Sequence, residues 1–225
     1  MDKFLTIVIP CKNESMGLIK TIDIIKSLGK FKIIVTDCST DDTRQLIKKY
    51  HQDVLIIEGG LPSIARNNGA KLCKTDYILF LDADMDISRV NLNDMIIEMM
   101  SEKHLLSTCS LTVKNIFYKI PYLIFDLVQR VISYKTPFAV GGFMLFDRNE
   151  FIKLGGFNEQ DKFAEDYHLS MKVDPKKFKI FSYVAITSDR RFRNKSVWYM
   201  VKLMTRCWFN RNNDEFYKKD YNYWK

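Results

Sequence analysis

Tyr77-Ile78-Leu79-Phe80-Leu81-Asp82-Ala83-Asp84 is the stretch whose reading decides the fold. Five apolar or aromatic residues in succession have the pattern of a strand buried on both faces, as inner strands of a parallel sheet are. Two carboxylates spaced by one residue follow at its C-terminal end, where open α/β sheets gather their ligands. Carboxylates there cost desolvation energy unless a positive charge compensates them. One resolution is a hard divalent cation shared with a substrate's phosphates; the other is a solvated pair of loop acids. Asp82-Ala83-Asp84 alone leaves both open.

Working outward, residues 5–10 form a β-branched apolar run ended by a proline, a central strand followed by a loop. Leu18, Ile19, Ile22, Ile25 and Leu28 then recur at helical spacing, predicting a helix from residue 15 or 16 to 28. A strand over 31–36, a helix over 41–50, a strand over 54–57 and a helix over 62–73 continue the alternation up to the strand at 77–81. Such alternation with short connections predicts a mostly parallel sheet covered on both faces. Beyond Asp86 the expected elements are a helix over 91–101 and strands over 105–113, 138–146 and 178–186. The apolar segment 116–134 is interrupted by Pro121, and 196–210 is amphipathic. The expected organisation is one α/β domain over residues 1–192 with a C-terminal helical extension over 193–225.

The 225 residues, 47% hydrophobic, suffice for one domain with a sizeable core. No run of 18 or more apolar residues suggests a membrane span. Residues 1–4 lead straight into a strand pattern without the layout of a secretory signal, so a cytoplasmic location is expected. Cys11, Cys38, Cys73, Cys109 and Cys207 are odd in number and lack metal-type spacing, which predicts reduced core thiols. The charge is uneven: residues 176–225 hold 13 Lys/Arg against 4 Asp/Glu, a net of +9, whereas residues 1–175 sum to −1. A basic tail calls for an anionic partner. Trp198, Trp208, Tyr217, Tyr221, Tyr223 and Trp224 interleave with its cations, as in an interfacial helix on an anionic bilayer. Packing of 116–134 and 196–209 on the sheet or on a second subunit is the other reading. No nucleic-acid motif accompanies the tail, and nucleic acid is not expected as a partner.

Several clusters carry candidate chemistry. Asn13 and Glu14 end the first strand where a base or ribose can be hydrogen-bonded, or else they start the helix. Asp37 closes the second strand and can accept from a nucleobase N–H, while Ser39 and Asp41 are expected as N-cap and first-turn residues. Arg66 is suited to neutralising phosphate, and Gly69 with Ala70 lets its helix approach the sheet. Gly141-Gly142 permits close backbone approach. Glu165 and Asp166 begin a helix, and only one of two adjacent acids can point at a given site; Asp166 in that position can take a proton from an attacking hydroxyl. His168, on another face, is not expected to ligate metal.

Together, Pro10-Cys11-Lys12-Asn13-Glu14, Asp37-x-Ser39-Thr40-Asp41, Ala65-Arg66-Asn67-x-Gly69, Leu81-Asp82-Ala83-Asp84, Gly155-Gly156-Phe157-Asn158-Glu159 and Glu165-Asp166 resemble, in order, the inverting family 2 glycosyltransferases of GT-A (Rossmann-like) fold. The likeness runs from Thr6 to Met171. It implies a transferase moving a sugar from a nucleoside-diphosphate sugar, of UDP or GDP type, to a saccharide, lipid-linked or polyprenyl-phosphate acceptor. Pro10, Asn13, Glu14, Asp37, Arg66, Asp82 and Ala83 would border the nucleotide, with Asp82 near the ribose. Asp84 would ligate Mg2+ or Mn2+ bridging the diphosphate, and Asp166 would be the general base. Gly141, Gly142, Arg190 and Arg191 are candidates for the acceptor or diphosphate. Two departures stand out: Cys38 replaces an acid or small polar residue, and Ser188-Asp189-Arg190-Arg191-Phe192 lacks the Gln of the processive members' Gln-x-x-Arg-Trp, so processivity is not expected. A sugar-phosphate nucleotidyltransferase is the alternative chemistry, opposed by the missing Gly-rich triphosphate loop; a degenerate, non-catalytic GT-A binding protein is the other.

Overall fold

Each apolar run of the N-terminal half is followed by an amphipathic segment able to cover it, and parallel strands result. In the computed structural model, which describes residues 3–190, 193 and 196–219, β1 (Leu5–Cys11), β2 (Lys32–Asp37), β3 (Leu55–Glu58) and β4 (Tyr77–Leu81) alternate with α1 (Ser15–Leu28), α2 (Thr43–Tyr50) and α3 (Pro62–Lys71). Then come α4 (Leu92–Glu102), β5 (Leu106–Val113), α5 (Ile116–Ser133), β6 (Phe143–Asp147), α6 (Arg148–Lys153) and α7 (Glu165–Ser170). β7 (Phe178–Thr187), α8 (Val197–Phe209) and α9 (Asp214–Tyr217) complete the described chain. The expected mostly parallel sheet flanked by helices is present.

The strands lie in the order β3-β2-β1-β4-β6-β5-β7. β6 is antiparallel to both β4 and β5, and the other pairs are parallel. Cys11 stands opposite Asp37 and Asp37 opposite Glu58, Leu81 opposite Phe143, and Val113 opposite Thr187. One rim of the sheet therefore collects the C-terminal ends of six strands and the start of β6. Every candidate cluster leaves or enters the sheet along this rim or packs against it.

The two faces of β4 are buried in different cores. Leu79 and Leu81 join Leu5, Ile7 and Ile9 of β1 and Leu18, Ile22 and Ile25 of α1; burying each such aliphatic chain contributes about 1.5–3 kcal/mol. Ile78 and Phe80 face the other way, where Phe80 lies 5.0 Å from the Phe151 ring and 5.1 Å from Phe157. On that side α3 sits so close that a Cβ at Gly69 would lie 2.3 Å from Val8 Cγ1.

Local departures from the sequence pattern have identifiable causes. The strand expected over 138–146 begins only at Phe143, because the backbone before it is hydrogen-bonded to side chains instead of a ladder. Gln129 donates to the Phe138 carbonyl, and the N–H groups of Ala139 and Gly141 donate to Ser170 Oγ and Asp166 Oδ2. α2 starts at Thr43 with Asp42 at its N-cap, so Ser39 and Asp41 do not hold the expected positions. Ser39 Oγ accepts the Asn13 N–H at 2.7 Å, and Asp41 accepts from Thr43 N at 3.0 Å. α5 continues through Pro121, which removes one N–H near the helix start.

The described part of the C-terminal segment folds back on α7. Leu203 and Cys207 of α8 and Phe216 and Tyr217 of α9 pack with Phe163 and Tyr167. Tyr217 stacks on His168 at 4.2 Å, and His168 also bonds Asp161 at 2.7 Å; this histidine is a packing residue. Arg191, Phe192, Tyr221, Tyr223 and Trp224 lie outside the described residues. All five cysteines are free thiols. Among the described residues no helix is long and apolar enough to cross a membrane.

Candidate active site

The turn after β4 is fixed from below by α1. Thr21 Oγ1 lies 2.9 Å from the carbonyl oxygens of both Ala83 and Met85, so Ala83 acts through its backbone. Gly17 faces the same turn: a Cβ there would sit 3.5 Å from Glu14 Oε2 and 3.8 Å from Asp84 Cβ. The start of α1 thus brings Glu14 and Asp84 to one side of the rim. Burial, with the negative charges of Asp82 and Glu14, pushes the Asp84 carboxyl up to about 6, and Arg190 acts against this. Arg190 Nη2 pairs with Glu14 Oε1 and lies 3.8 Å from Asp84 Oδ2. Cationic charge is what this turn lacks, and a guanidinium from the loop after β7 partly supplies it.

Arg66 joins the two halves of the site. Its side chain is 2% exposed, and its Nη1 donates to Glu165 Oε1 at 2.5 Å. Its Nη2 donates to Asp82 Oδ1 at 3.0 Å and to the Gly141 carbonyl at 3.2 Å. Glu165, Asp82 and Asp166 hold the guanidinium cationic despite its burial, while Glu165's own burial pushes its carboxyl up to about 7 against the pull of Arg66. Arg66 is therefore engaged with carboxylates beneath the rim. Gly141 must be glycine for this arrangement: a Cβ would come within 2.7 Å of Arg66 Nη2 and 3.1 Å of Asp166 Oδ2. The Gly142 carbonyl accepts the Asp82 N–H at 3.2 Å.

The two adjacent acids of α7 divide as the sequence requires. Glu165 turns inward to Arg66, while Asp166 Oδ2 accepts the Gly141 N–H at 2.6 Å and Oδ1 its neighbour Tyr167 N–H at 2.8 Å. The Asp166 carboxylate is thus held by two backbone donors with lone pairs to spare, next to Gly141 and through Arg66 to Asp82.

At the far end of the rim, Asp37 is 1% exposed. It accepts from Ser39 N–H at 3.1 Å and from Arg44 Nε at 3.0 Å, and Arg44 also reaches Glu58 at 3.3 Å. Pro10 pairs in register with Thr36 next to it. Asn13 adopts φ 55°, a left-handed conformation asparagine tolerates, and its Oδ1 accepts the Thr40 N–H at 2.9 Å. Asn13 and Ser39 therefore tie the β1 and β2 loops into one wall.

Sequence reasoning placed most of these groups on the rim but missed Arg44, Glu58 and the role of Glu165. The only local signal for the first two was the pairing of β2 with β3, which sets Asp37 against Glu58; nothing local joins Glu165 to Arg66, 99 residues apart.

The donor set suits a hard divalent cation. Glu14, Asp82 and Asp84 crowd negative charge at the β4 exit, and Asp84 is held back from ionising by that crowding and by burial. Among the described residues there is no cluster of three or more ligating side chains able to hold a metal alone. Mg2+ and Mn2+ characteristically take one or two carboxylates and complete their shell with water and substrate phosphates.

The sequence matches the family model described as glycosyl transferase family 2 over residues 6–155. The O-antigen chain rhamnosyltransferase WbaN of Salmonella anatum is 26% identical over 181 residues, 72% of this chain and 56% of that protein. The poly(ribitol-phosphate) beta-N-acetylglucosaminyltransferase TarS of Staphylococcus aureus is 30% identical over 108 residues, 42% of this chain and 18% of that protein. The chain thus spans about half of the first relative and under a fifth of the second. Among solved structures, S. aureus TarS residues 1–349 in complex with UDP-GlcNAc superimposes with a TM-score of 0.65 at 20% identity, covering 82% of this chain and 59% of that one. The mannosyltransferase PcManGT from Pyrobaculum calidifontis in complex with GDP-Man and Mn2+ gives 0.65 at 19% identity, covering 89% and 64%. At these identities the structural likeness is one of fold.

Proposed function

The chain belongs to glycosyl transferase family 2, and from that premise we propose that it transfers a sugar from a nucleoside-diphosphate sugar to an acceptor hydroxyl or phosphate with inversion at the anomeric carbon. The observation that carries this reading is the Arg66 node: one buried guanidinium links Asp82 at the β4 exit to Gly141 and Glu165, and so to Asp166. Donor-side and acceptor-side carboxylates are thereby held in fixed relation.

The donor's base lies toward Asp37, Arg44 and the Asn13 loop, its ribose toward Asp82 and its diphosphate toward Asp84 and Arg190. UDP and GDP are the nucleotides to test, since relatives are described with UDP-GlcNAc and GDP-Man. Asp84 would hold Mn2+ or Mg2+; when bound, the cation supplies charge compensation for the departing nucleoside diphosphate. Asp166 accepts the proton of the acceptor hydroxyl. The acceptor oxygen then bonds to the anomeric carbon as its bond to the diphosphate oxygen breaks on the opposite face. The acceptor class, saccharide or lipid-linked, follows from the resemblance and from relatives named for O-antigen and poly(ribitol-phosphate).

Thermal-shift titration with UDP, GDP and their sugars, with and without Mn2+, identifies the donor. Asp166→Asn should keep that shift and abolish transfer, and transfer that persists excludes Asp166 as the base. Asp84→Ala should remove the Mn2+-dependent part of the shift; an unchanged response excludes it as ligand.

A further inference from the structure

α5 is built inside out. Several polar side chains face the protein: Gln129 and Ser133 are buried, Gln129 bonds the Phe138 carbonyl, and Arg130 bonds Asp126 at 2.9 Å and Ser110 Oγ at 2.8 Å. Most of its aliphatic side chains face outward. Ile116, Ile120, Leu123, Ile124, Leu127 and Val131 recur along one stripe and are 58–70% exposed. Scattered exposed aliphatics are ordinary; a stripe running the length of an 18-residue helix is not.

α8 exposes apolar side chains as well. Phe125 of α5 lies 5.6 Å from the Phe138 ring, and Phe138 lies 5.0 Å from Tyr167, in the cluster that receives Leu203 and Cys207 of α8. Both helices thus pack around the cluster that holds Tyr167. α8 exposes Trp198 (81%), Val201 and Phe209 (79%), and Lys202 and Arg206 of the same helix are exposed too. The exposed residues of α5 and α8 include Lys119, Lys202 and Arg206 and no acid. Near its start α5 adjoins the site: Asn115 bonds Asp189, next to Arg190, at 3.2 Å.

The geometry points to a bilayer carrying anionic lipids as the occupant of this face, with α5 and α8 lying in the interface plane. Two helices whose exposed side chains are apolar and cationic without acids, one of them carrying an exposed tryptophan, complement such a surface. Neither helix is long and apolar enough to cross it. A second copy of the chain would bring cations against cations. The inference does not rest on the transfer reading, since it concerns binding without donor or acceptor.

Flotation of the full chain with vesicles of phosphatidylcholine, alone or containing phosphatidylglycerol, tests it. Binding should require the anionic lipid, weaken with salt, and fall by about tenfold or more in Leu123→Gln/Leu127→Gln; Ile97→Gln, at an exposed position of α4, should bind as the parent does. Brominated lipid should quench a fluorescence component that Trp198→Phe lacks. Circular dichroism and light scattering of the variants separate unfolding and self-association from lost binding. No flotation on anionic vesicles, flotation unchanged by the double substitution, or a dimer that buries this face and does not float overturns the proposal.

Discussion

Replacing Arg66 by Met removes the cation between Glu165 and Asp82 while keeping a similar apolar stem. Arg66 and Glu165 are 2% and 4% exposed at the side chain, and breaking such a buried pair from one side costs about 3–5 kcal/mol, because the remaining charge is uncompensated. Asp82, at 35% exposure, is solvated enough that its share is no more than about 1 kcal/mol. The loss is about a fifth or more of an ordinary domain's stability of roughly 5–15 kcal/mol. Its pH dependence has a definite sign. Burial pushes the native Glu165 carboxyl up to about 7 from 4.5, so below that pH it is neutral in both proteins and the loss is smallest. Above it the native pair ionises, whereas in Arg66→Met the carboxyl is pushed higher still. The loss should therefore grow above neutrality by up to about 1.4 kcal/mol per pH unit. Urea unfolding of the parent, Arg66→Met and Arg66→Met/Glu165→Gln at several pH values measures this, the double variant being more stable than the single one and flat in pH. A loss under about 1 kcal/mol, or a pH-independent loss that Glu165→Gln does not relieve, would refute the assignment of Arg66 as the buried counter-charge.

Gly69→Ala gains about 1 kcal/mol of helix propensity but sets a Cβ 2.3 Å from Val8 Cγ1, and such overpacking costs about 1–3 kcal/mol. Net destabilisation in urea is expected, partly relieved by Val8→Ala; a stabilised variant would disprove the close approach of α3. Gly141→Ala should lower kcat/KM for transfer by about 10²-fold through displacement of Asp166 and Arg66, with nucleotide affinity little changed; a matching loss of affinity would place the defect in the donor site instead. Burial and Lys26 hold His51 below the usual imidazole value of 6.5. A depressed histidine lends stability that is complete above that value and lost as pH falls below it, so the melting temperature should drop in mild acid, and less so for His51→Gln.

The alternation from β1 to β4 was legible because each strand is a short continuous apolar run and each covering helix carries its 3.6 period within a short window. The rim could be anticipated for the same reason, since Asp37, Asp82 and Asp84 follow directly on apolar strands. The direction and start of β6 could not. Gly141 finds its partner in Asp166 and Ala139 in Ser170, contacts made by side chains more than twenty residues away. The inside-out character of α5 escaped for a different reason: a helical stripe states that one face is apolar, but only the partners of Gln129 and Arg130 show which face the protein received. Arg66 had the right residue type for a phosphate, yet the carboxylates of Glu165 and Asp82 reach it first.

The Arg66–Glu165 pair also sets an order on synthesis. The partners are 99 residues apart, so at about 5–20 residues per second roughly 5–20 s pass between their appearances. Once Leu81 has been made β1 to β4 and α3 are complete, and until Glu165 follows Arg66 has only the part-exposed Asp82 as its side-chain counter-charge. Firm burial of Arg66 between α3 and the sheet is therefore favoured only once α7 has been made, because a buried cation without its partner is costly.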